Sequence, residues 1–68
     1  METLTNDDLK QFTKYTLLRL SHTIGMMDIM IVRNDDTKTV ECLKILQSRL
    51  INLHADTQVL EKRLDDYI

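Results

Sequence analysis

His22, His54 and Cys42 are the only imidazole and thiol groups in the sequence. A zinc site draws three or four such groups from short fixed spacings, Cys-x-x-Cys or His-x-x-x-His on one helix. Neither spacing occurs, so a metal could be held only between subunits, and none is assigned. Asp35–Asp36 and Asp65–Asp66 are adjacent carboxylates at a turn and near a helix end, where solvated charge is ordinary. Asp28 stands among Met and Ile and calls for an Arg or Lys partner or a place at the rim. No acid, base or nucleophile is bracketed by a group that could orient it, so neither catalytic residues nor a cofactor are expected. One further chemistry is a contact to phosphate through Lys10, Lys14 and Arg19, extended by Lys62 and Arg63. Asp7, Asp8, Glu61, Asp65 and Asp66 lie nearby, so ordinary solubility charge is the first reading of that cluster. A nucleic-acid (RNA)-binding hairpin dimer is the alternative.

The elements that carry these groups are helical. Leu43, Leu46, Leu50, Leu53, Thr57, Leu60, Leu64 and Tyr67 follow one another at alternating steps of three and four, a heptad seam that needs a partner. Leu17, Leu20, Ile24, Met27 and Ile31 repeat the pattern upstream. Thr5 and Asp8 have the spacing of a capping box, with Leu4 and Leu9 at the positions of a hydrophobic staple. The first helix is predicted over about Asn6 to Arg33. Asn34 to Thr39 is the one clear break, with Asp36 favoured as the next cap. The second helix follows to about Asp66.

Composition agrees. The 68 residues include no proline and one glycine, Gly25, with few aromatics, which favours an all-α chain over a sheet. One domain, 1–68, is expected. The formal net charge of −2 gives no global pull towards nucleic acid or membrane. A single cysteine excludes an internal disulfide and suits the cytoplasm. The N-terminus lacks the basic and apolar regions of a signal peptide, and no apolar run is long enough to span a bilayer.

Folding the chain about Asp35 sets Met27 against Leu43, Ile24 against Leu46, Leu20 against Leu50, Leu17 against Leu53 and Thr13 against Thr57. The predicted architecture is thus a two-helix antiparallel hairpin, about 6–33 and 36–66. A parallel zipper of second helices is the competitor, but it would oppose Asp56 to Glu61 and Arg49 to His54. In architecture alone the hairpin is similar to Rop, a helical hairpin that dimerises into a four-helix bundle and binds paired RNA loops; no functional residue is carried over from it.

The first helix has a second apolar face in Tyr15, Leu18, Gly25, Met26, Ile29 and Val32, with His22 among them. The outer face of the second helix is expected to be polar. Covering five such side chains is worth on the order of 10 kcal/mol, comparable with the whole stability of a small domain. The expectation is therefore dimerisation into a four-helix bundle, docking on another protein, or both. The expected function is a non-enzymatic protein–protein interaction module, a regulator or assembly subunit.

Overall fold

The computed structural model describes residues 5–66. Two helices, α1 (Asn6–Arg33) and α2 (Thr37–Asp65), pack against each other as an antiparallel hairpin, and no strand occurs among the described residues. Leu4 and Tyr67, proposed for the staple and for the end of the leucine seam, lie outside that range.

The helix starts follow from side-chain chemistry. The Thr5 hydroxyl accepts from the Asp8 amide at 3.1 Å, and the Asp8 carboxylate accepts from the Thr5 amide at 3.2 Å. Two amides that the helix itself cannot pair are thus satisfied together. Asn34, Asp35 and Asp36 form the connection. The Asn34 carbonyl oxygen accepts from the Asp36 amide at 2.9 Å, and the Asp36 carboxylate accepts from the Thr39 amide at 3.3 Å. Asp36 is the N-cap of α2. Arg33 in the last turn of α1, and Lys62 and Arg63 in that of α2, complement the negative helix ends.

The helices meet along heptad stripes, but the contact differs from the pairing expected by folding about Asp35. The least exposed positions of α1 include Lys10, Thr13, Leu17, Leu20, Ile24, Met27 and Ile31. Those of α2 are Val40, Leu43, Gln47, Leu50, His54, Thr57, Glu61 and Leu64. Gln47, His54 and Glu61 therefore take inward places expected for Leu46, Leu53 and Leu60, which stay about half exposed. The Gln47 amide donates to the Ile24 carbonyl at 3.2 Å and to the Asp28 carboxylate at 2.5 Å. Lys10 meets Asp65 at 3.9 Å. Thr13 and Thr57 both face the seam. Each donates its hydroxyl to its own helix, to the Leu9 carbonyl at 2.6 Å and the Leu53 carbonyl at 2.7 Å.

A physical reason is visible. Leucines of α2 occupy two neighbouring stripes, and either can flank the central stripe of Leu43, Leu50, Thr57 and Leu64. Leucine count alone leaves the choice open. Polar groups beside the seam decide it, because an unpaired amide or charge at a half-buried position costs more than a leucine left partly wet. With Gln47 turned inward, its amide reaches the Ile24 carbonyl and the Asp28 carboxylate, and Lys10 meets Asp65 at the open end. Among the described residues Met27, 3 % exposed, and Leu64 are the buried apolar side chains.

Candidate protein-binding faces

On the outer side of α1, Tyr15, Leu18, His22, Gly25, Ile29 and Val32 succeed one another at steps of three and four. The stripe is a second heptad seam directed away from α2, with Met26 at its margin. All of these residues are exposed, Leu18 to 68 % and Val32 to 84 %. The guanidinium of Arg19 lies 5.8 Å from the centre of the Tyr15 ring, a cation–π contact one turn along the same helix. A Cβ built on Gly25 meets no atom within 4 Å. Inside the hairpin the glycine therefore relieves no crowding, while outside it leaves a flat spot between Leu18 and Val32. Asp28, Ile29, Val32 and Arg33 line a shallow hollow at the turn end of this seam.

A second apolar face escaped the sequence reading. Leu46, Leu53 and Leu60 form a ridge along one flank of α2, each about half exposed. The expectation that these leucines lie in the seam is thus corrected: they flank it and face the surroundings. Beside the ridge, α1 contributes Leu9, Thr16, Thr23 and Met30 on the same flank. The Thr16 hydroxyl donates to the Phe12 carbonyl at 2.9 Å and that of Thr23 to the Arg19 carbonyl at 2.8 Å. Both hydroxyls are spent on their own helix, so a row that looks polar offers methyl groups. The result is a leucine ridge next to a threonine trough closed by Leu9 and Met30. The signal was present in the sequence: leucines in two stripes are more than one narrow seam can cover.

The charged residues are not brought together. Lys10, named with Lys14 and Arg19 as a possible phosphate contact, lies in the seam with its side chain 11 % exposed, beside Asp65. Lys14 and Arg19 are exposed on different flanks of α1, since only residues three or four apart share a face. Asp28 finds the Gln47 amide rather than a cation. His22 is exposed and His54 partly covered, on different helices, and Cys42 is an exposed free thiol. Among the described residues no three His, Cys, Asp or Glu side chains converge as a metal site would require. A hollow lined by Val59, Lys62, Arg63 and Asp66 holds cations and a carboxylate but no nucleophile. No helix among the described residues is long and apolar enough to cross a membrane.

Comparison with known protein families, with curated proteins and with solved structures finds no match to this chain.

Proposed function

We propose that the protein is a small non-enzymatic interaction module, a regulator or assembly subunit of the cytoplasm. In this reading it pairs with a second copy into a four-helix bundle and offers the outer seam of α1 to a helix of another protein. The carrying observation is that seam: a heptad stripe as regular as the one inside the hairpin, exposed along its whole length. Alternating steps of three and four are what a partner helix packs against, knobs into holes. Met26 at the margin gives an adaptable contact, and Gly25 allows a partner backbone to come close. A hairpin with so little fully buried apolar surface gains much of its stability by covering the rest.

Thiol protection tests the reading without knowledge of the partner. Leu18→Cys is introduced with Cys42→Ser, and its alkylation is compared in the purified protein and inside intact cells. The expected result is rapid labelling of the pure protein and strong protection in cells. Equal labelling in both settings would overturn the docking role of this seam, and protection already in the pure protein would assign it to self-association.

A further inference from the structure

The leucine ridge and the threonine trough carry an inference that rests on the self-association proposed above and specifies its geometry. We infer that the flank of Leu46, Leu53 and Leu60 is covered by a second copy of this chain. The two copies are related by a two-fold axis parallel to the helices, so that α2 of each lies along α1 of the other.

The fit follows from heights along the hairpin. The side chain of Lys10 meets that of Asp65 and the side chain of Gln47 that of Asp28, while Ser21 and Ile24 share a hollow with Ile51 and His54, so side chains whose numbers sum to about 75 reach the same height. A two-fold axis parallel to the helices preserves height, so residues level within one copy are also level between copies. Carried along both helices, this ladder places Leu60 next to Thr16, Leu53 next to Thr23 and Leu46 next to Met30. Large side chains of one copy then settle beside small ones of the other, in both directions at once, as an isologous contact requires. The long face of the molecule, 48 by 23 Å, is ample for the roughly 800 Å² per partner of a standard interface.

Charge at the margins distinguishes this arrangement from its alternative. The outer edge of the face carries Phe12, Arg19, Met26 and Arg33 on α1, and Cys42, Arg49, Asp56 and Arg63 on α2. At equal heights Arg19 meets Asp56 of the second copy, Phe12 meets Arg63, Met26 meets the aliphatic stem of Arg49, and Arg33 meets Cys42. No like charges are opposed. The other two-fold, perpendicular to the helices with the loops at opposite ends, stacks α1 on α1. It sets the edge of α1, which carries Arg19 and Arg33 and no carboxylate, against its own copy, and turns leucine ridge to leucine ridge. Ridge-on-trough packing leaves the outer seam of α1 free for a different protein.

Sedimentation equilibrium over a concentration series tests the inference, with circular dichroism to confirm helix content. The wild-type chain is expected to dimerise, Leu53→Glu to be monomeric at every concentration, and Leu18→Glu to retain the wild-type Kd. Arg19→Asp or Asp56→Arg alone should weaken the dimer about tenfold, because two rim pairs turn from attraction to repulsion. Arg19→Asp with Asp56→Arg in one chain should restore it, since within a copy these residues stand on opposite edges. The charge variants decide the matter even if Leu53→Glu fails to fold. A monomeric wild type, a double reversal no better than the single ones, or a dimer broken by Leu18→Glu alone would each overturn the arrangement. In the thiol-protection experiment, protection in the pure protein would also overturn this arrangement, whereas a difference between pure protein and cells reads docking of another protein on the outer seam separately.

Discussion

Met26 and Met27 are neighbours with the same side chain, on the same helix, in opposite surroundings. Met27 is 3 % exposed and Met26 46 % exposed. Met27→Ala removes a side chain that is wholly out of water and leaves a cavity between the helices, a change that costs about 2–5 kcal/mol. At about 0.05–0.15 kcal/mol per residue, a chain of this length has roughly 3–10 kcal/mol of stability in total, so the loss is about a fifth of it or more. Met26→Ala gives up side-chain burial that is only about half complete, makes no enclosed cavity, and gains a few tenths of a kcal/mol in helix propensity. Its cost should stay below about 1 kcal/mol. Urea unfolding followed by circular dichroism, with all three proteins at one concentration below that at which the chain self-associates, measures the difference directly. If Met26→Ala cost as much as Met27→Ala, α1 would be rotated from the orientation described and the seam assignment would be refuted.

Gly25→Ala should raise stability by about 1 kcal/mol, because a methyl group there meets open space and the helix loses its most flexible residue; thermal unfolding reads this as a higher Tm. Asp36→Ala should cost about 1 kcal/mol, since the carboxylate that accepts from the Thr39 amide is lost at the start of α2; Asp36→Asn should recover most of it in the same denaturation assay.

The parts of the fold written in local chemistry were legible. Thr5 and Asp8 announce the start of α1, and Asn34 with Asp36 announces the turn and the next cap, so α1 is observed where spacing alone put it and α2 within a residue or two. The outer stripe of α1 was likewise readable, because nothing competes with it for the same side of the helix. Which stripe of α2 turns inward beside Leu43, Leu50, Thr57 and Leu64 was not readable. It depends on how Gln47 reaches Asp28 and Ile24, and on Lys10 reaching Asp65. Those are relations between residues far apart in sequence, and no periodicity within one helix contains them. The leucine ridge was hidden for the same reason: Leu46, Leu53 and Leu60 look like core until Gln47, His54 and Glu61 are seen to stand in their place.

The short Asn34–Asp36 connection has a consequence for how the chain reaches this shape. Closing so small a loop spends little chain entropy, and the first contacts across it join residues close in sequence. Ile31 and Leu43 can meet before anything nearer the open end has to be ordered. Each later layer then adds onto a pair of helices already held side by side, so the contact order stays low and folding should be fast. Layers farthest from the turn, around Lys10 and Leu64, are the last to close and the first to open. Amide exchange should therefore be slowest in the turn-proximal half of the hairpin and quicken towards its open end.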